Sequence, residues 1–152
     1  MFELCRSPHD IVDLLRYQFG LPVQLVAGRP MIATGSVLSA VVMPAALGTP
    51  VLAALDCDYI APVVADPGDR TWTFLVTPPA PALPVEVPLR RALAVHAVTI
   101  VPAGRNLMLP CTDSPQGWHW AATPTPALLR LPPRSTILSA VLHQTRTHAA
   151  IP

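Results

Sequence analysis

Twenty of the 152 residues are proline, roughly 13% where about 5% is usual. A proline ring fixes φ and removes an N–H, so it interrupts helix interiors and central strands. The charge-free run from Pro30 to Leu55 shows the consequence. Its second part, Val37–Leu55, is long enough to span a bilayer. Yet Pro44, Gly48 and Pro50 cut it into pieces, and lipid does not tolerate unsatisfied backbone. The run reads as a buried strand followed by a short helix, with no membrane contact.

Hydrophobic residues make up 51% and charged residues 12%. That balance supplies a core and is the opposite of a disordered tail; at this length one domain, residues 1–152, is expected. All ten basic residues are arginine, a bias that fits GC-rich coding and says nothing of function. Cys5, Cys57 and Cys111 are odd in number, far apart and form no CxxC. They point to a reducing compartment and buried free thiols. Glu3, Asp10 and Asp13 stand where a signal peptide needs a basic and then an apolar region, so the expected location is cytoplasmic.

Local patterns predict the elements. Ser7 as N-cap, Pro8 at the first helical position and Asp10 in the first turn open a helix over residues 8–19, with Ile11, Leu14 and Leu15 at helical spacing and Gly20 after it. Val23–Ala27 and Val37–Met43 read as strands, with a turn at Gly28-Arg29-Pro30. Pro44 and Thr49-Pro50 each open a helical turn. Ile60–Ala65 and Thr71–Thr77 form a hairpin around Asp66-Pro67-Gly68-Asp69, with Trp72, Phe74 and Val76 on one face. Pro78–Pro88 is a stiff connector and Leu89–Leu93 one helical turn. Val95–Val101 and Asn106–Leu109 read as a second hairpin, and a further strand starts at Trp118-His119-Trp120. A C-terminal helix from about Ser135 buries Ile137, Leu138, Val141 and Leu142. The fold class is α+β: a mostly antiparallel sheet with an N-terminal and a C-terminal amphipathic helix packed on it.

Charge divides the chain. Residues 1–69 hold seven acids against three arginines, net −4, and residues 70–152 hold seven arginines against two acids, net +5. Arginine offers a planar, permanently charged fork that suits phosphate. The candidate nucleic-acid-binding residues are Arg70, Arg90, Arg91 and Arg105, with Trp118 and Trp120 to stack bases. Asp56-Cys57-Asp58 is the one close acid pair with a potential metal geometry; on a strand both carboxylates would share a face and could hold one Mg²⁺ or Mn²⁺. Two carboxylates alone make a weak metal site. The five histidines show no zinc spacing, and no GxSxG, GxGxxG or Walker A is present. No catalytic residue and no cofactor is expected.

Asp66-Pro67-Gly68-Asp69-Arg70-Thr71-Trp72-Thr73-Phe74 comes first in a longer order of motifs. Val98–Gly104 follows, then Leu107-Met108-Leu109-Pro110-Cys111-Thr112 with Gly117-Trp118-His119-Trp120, then Leu129–Pro133. Over residues 61–133 this order resembles the C-terminal half of the bifunctional primase/polymerase (prim-pol) domain of the archaeo-eukaryotic primase superfamily. The resemblance implies a strand bearing a catalytic His and a second bearing a metal-binding Asp. Trp72 stands near the His position here and Thr99 near the Asp position, and neither can do that work. The chain thus resembles the degenerate, stand-alone relatives familiar from actinobacteria. It is read as a non-catalytic binding module for nucleic acid or a nucleotide. The rival from another class is a regulatory subunit that self-associates or meets a protein partner; the residual one is a nucleotidyltransferase using Asp56 and Asp58.

Overall fold

The computed structural model describes residues 1–55, 59–80, 84–126 and 129–149. It is an α+β fold of two antiparallel sheets and four α-helices. Asp56, Cys57 and Asp58, and residues 81–83 of the proline connector, lie outside the described residues.

The N-terminal helix starts as its sequence dictates. Ser7 Oγ accepts from Asp10 N at 3.2 Å, and Asp10 Oδ2 accepts from Ser7 N at 2.9 Å and Arg6 N at 2.8 Å. This reciprocal box satisfies N–H groups that a helix start leaves orphaned. The helix is regular as α1 (Pro8–Asp13) and then widens into a π-helical turn, Leu14–Gln18. Gly20, at φ +69°, ends it.

Next come β1 (Val23–Val26) and β2 (Arg29–Ala33), joined through Ala27 and Gly28 at φ 49° and 74°. Two left-handed residues make the tight hairpin turn whose twist matches the strands. The turn therefore lies one residue earlier than the sequence suggests, and Arg29 and Pro30 belong to β2. Then follow β3 (Ser39–Pro44), α2 (Ala45–Ala53), β4 (Val63–Ala65), β5 (Thr71–Val76), α3 (Val87–Val95), β6 (Thr99–Ile100), β7 (Asn106–Met108), β8 (His119–Ala122) and α4 (Arg134–Ala149). Strand order is β1-β2-β7 in the small sheet and β6-β3-β5-β4-β8 in the large one. No helix among the described residues is long and apolar enough to cross a membrane.

The β4–β5 hairpin forms around residues 66–69 as predicted. Asp66 Oδ1 accepts from Arg70 N and Thr71 N at 2.8 and 2.7 Å, with Gly68 and Asp69 at positive φ. The second predicted hairpin does not form. β6 pairs with β3 in the large sheet, whereas β7 pairs with β2 in the small one. Thr34 keeps the two apart: its N–H donates to Arg105 O, its C=O accepts from Gly104 N, and its hydroxyl donates to Pro102 O at 2.7 Å. The 102–105 turn is thus bonded to a distant loop and carries the chain from one sheet to the other.

Three shorter corrections concern helices and thiols. Pro44 and Pro50 do not open separate turns: Pro50 lies inside α2, where Thr49 Oγ1 donates to Ala45 O. α3 is nine residues long, so Val95 is helical and His96 its cap, leaving only Thr99–Ile100 as strand. The two described thiols are not buried: Cys5 is half-buried and Cys111 exposed.

The large sheet is covered on both faces. Val41, Met43, Val63, Trp72, Phe74 and Val76 pack on one side with Val51 of α2, Leu93 of α3 and Ile137 and Val141 of α4. On the other side Ala40, Val64 and Leu75 pack with Ile11 and Leu15, Val23, Ile32 and Leu109. Each fully buried aliphatic or phenyl group contributes about 1.5–3 kcal/mol, so both faces count. At Gly48 α2 touches the sheet directly, since a Cβ there would lie 2.7 Å from Trp72 Cε3.

Candidate functional site

A groove of about 530 Å³ runs along the β6 edge of the large sheet. Its walls are β6 with the Pro102–Ala103 turn, α3 through Leu93 and Ala94, and Pro78, Pro79, Pro84 and Val85 of the connector. Arg90 and Arg134 are the charged side chains that line it.

Local structure fixes Arg134 there. Thr77 N donates to Pro132 O at 2.9 Å, Thr77 Oγ1 to Leu131 O at 3.3 Å, and Arg134 N returns to Thr77 O at 3.0 Å. The Leu131–Pro133 run is thereby tied to the end of β5, and α4 starts at Arg134. The residue is half-buried, and burial lowers its pKa from the ordinary arginine value. It remains charged. A cation at the first residue of a helix opposes the positive end of the helix dipole. Its placement therefore works against the helix dipole. The groove continues past Arg134 into a second cavity of about 290 Å³, where Glu86 and Ser135 join the lining.

Two buried hydroxyl residues also line the groove, Ser39 at 5% exposure and Thr34 at 3%. Thr34 Oγ1 is occupied, donating to Pro102 O and accepting from Arg105 N at 3.0 Å. The Ser39 hydroxyl bonds to none of the described residues, and is available to a ligand.

The sequence candidates are dispersed. Arg90 lines the groove, while its neighbour Arg91 is exposed on α3 and does not. Arg105 is exposed in the turn below the groove's lip, its backbone held by Thr34. Arg70 precedes β5 and Arg134 bonds to Thr77 just after it, so the two are separated by roughly 20 Å of strand. The exposed Arg70 Nε lies 3.9 Å from Oδ2 of the half-buried Asp66, a long surface pair worth little in water. Trp118 precedes β8 and Trp120 lies in it, at the opposite edge from β6, both packed into the second core. Both are half-buried. Trp120 Nε1 is buried with no hydrogen-bond partner among the described residues.

Trp72, near the position of the resembled family's His, is buried and donates from Nε1 to Asp69 Oδ1 at 2.5 Å. Thr99 lies on β6 beside the groove. Among the described residues no group of three or more His, Cys, Asp or Glu side chains comes together. Sequence reasoning missed Arg134 and Ser39; the one signal was an arginine directly after Pro132-Pro133, at a helix start. No protein-family model, curated protein or solved structure matches the chain.

Proposed function

We propose that this domain is a non-catalytic binding module that holds a nucleotide, or a nucleotide end of a nucleic acid, in the groove between α3 and β6. The observation that carries the reading is the pair Arg90 and Arg134 in a groove otherwise lined by uncharged residues, with the Ser39 hydroxyl unbonded. About 530 Å³ falls within the range of small-molecule sites, which are largely apolar with a few directing polar groups. Two arginines suit one phosphate. Binding along a strand needs a track of cations, and Arg70, Arg91 and Arg105 do not continue the groove. The reading as a non-enzyme rests on Trp72 and Thr99, which stand where the resembled family has its His and Asp.

The test is a titration with the four nucleoside monophosphates and a short oligothymidylate. At least one monophosphate binds, more weakly as salt rises, and Arg134→Ala and Arg90→Ala each lower its affinity about tenfold or more. Arg70→Ala leaves it unchanged. Absence of binding at low salt, or equal loss in Arg70→Ala and Arg134→Ala, contradicts the reading. Mn²⁺-dependent nucleotide incorporation by the domain would contradict its non-catalytic part.

A further inference from the structure

The other face of the large sheet holds a cavity that shares no residue with the groove. It measures about 350 Å³ and lies between the sheet and β7, with Trp118 at its side. No charged residue is among those that line it. Thr73, on the central strand β5, is 9% exposed and lines it. Its hydroxyl bonds to none of the described residues. The register places Thr73 opposite Val42 on one side and Val64 on the other, and Val64 opposite Trp120. Trp120 Nε1, in the same row, is buried without a partner among the described residues; the Thr73 hydroxyl is not sealed in that way and opens on the cleft.

We propose that this cleft is a second binding site, for an uncharged, planar heteroaromatic molecule of one or two rings with neighbouring hydrogen-bond donor and acceptor atoms. Its volume is near the lower end for small-molecule sites. A charged ligand would lose its water without a counter-charge, so the lining selects a neutral one. Val42 and Leu75 form one wall, and Leu107 and Met108 the other. Aliphatic walls favour a flat ring, and a thioether packs well against an aromatic edge. Hydroxyls donate or accept and an amide does both, so Thr71, Thr73 and Asn106 orient the ring by its polar edge.

The probe is quinazolin-4-one, with benzoate as the anionic comparator, followed by quenching of tryptophan emission and by ligand-observed NMR. Saturable binding of quinazolin-4-one is expected at concentrations up to about a millimolar, with benzoate much weaker. Thr73→Val keeps the shape and removes the hydroxyl, and lowers the affinity at least about fivefold. Asn106→Trp, at an exposed position on the rim, abolishes binding, while Arg134→Ala leaves it unchanged. Failure of folded wild-type protein to bind, equal binding of benzoate, or undiminished binding by Thr73→Val overturns the proposal. If Thr73→Val does not fold, undiminished binding by Asn106→Trp overturns it alone.

Discussion

The two faces of the large sheet are built differently, although β5 supplies side chains to both. Phe74 points toward α2, α3 and α4, and Leu75, its neighbour, toward α1 and the small sheet. The helical face carries the charged groove at its β6 edge. The hairpin face carries the uncharged cleft beneath β7. A strand buried on both sides loses the apolar–polar alternation of a solvent-facing strand, so polar residues on it need another explanation. Ser39 and Thr73 are such residues, and each lines a cavity.

The largest effects test whether both faces are true cores. Phe74→Ala should destabilise the protein by about 3–5 kcal/mol. Leu75→Ala should cost about 2–5 kcal/mol, since Leu75 is fully buried. Urea unfolding measures both. A loss below about 1 kcal/mol in Leu75→Ala would mean that the hairpin face contributes no core. Gly48→Ala comes next, since its Cβ would press on Trp72; the strain should cost about 1–3 kcal/mol and alter the near-ultraviolet signal of that ring. A normal melting temperature would contradict the flush packing of α2.

The smallest effects lie at the entrance to α1. Ser7→Ala removes the N-cap and should cost about 1 kcal/mol. Hydrogen bonds from Arg6 N and the Ser7 hydroxyl hold the Asp10 carboxyl below the usual carboxylate range. The N-terminal ammonium does the same for Asp113, 2.7 Å away. A carboxylate whose folded pKa is lowered stabilises the fold above its unfolded pKa, and that contribution disappears as pH falls through the folded value. Stability should therefore drop on acidification below the ordinary carboxylate range. The drop should be shallower in Asp10→Asn, and an identical acid limb in thermal melts of the two proteins would contradict the assignment.

How much of this was legible depended on distance along the chain. Ser7-Pro8 with Asp10, and Asp66 through Asp69, act within a few residues, and both did what their chemistry indicates. The alternation of Trp72, Phe74 and Val76 also placed one face of β5 correctly. The 102–105 turn could not be read, because Thr34 determines it from about seventy residues away. The candidate site was legible only in part. Arg90 was named, but its partner Arg134 enters the groove through bonds between Thr77 and the 131–134 run, which no local pattern encodes. Trp118 and Trp120 are half-buried and pack against the second core, through contacts that no local pattern encodes.

Amide chemical-shift mapping with the tightest-binding nucleoside monophosphate tests the central claim most directly. Shifts concentrated at Thr34–Ser39, Arg90–Val101 and Arg134, and lost in Arg134→Ala, are the predicted result. Shifts centred on Arg70 or on Trp118–Ala122, or none at saturating ligand, would contradict it.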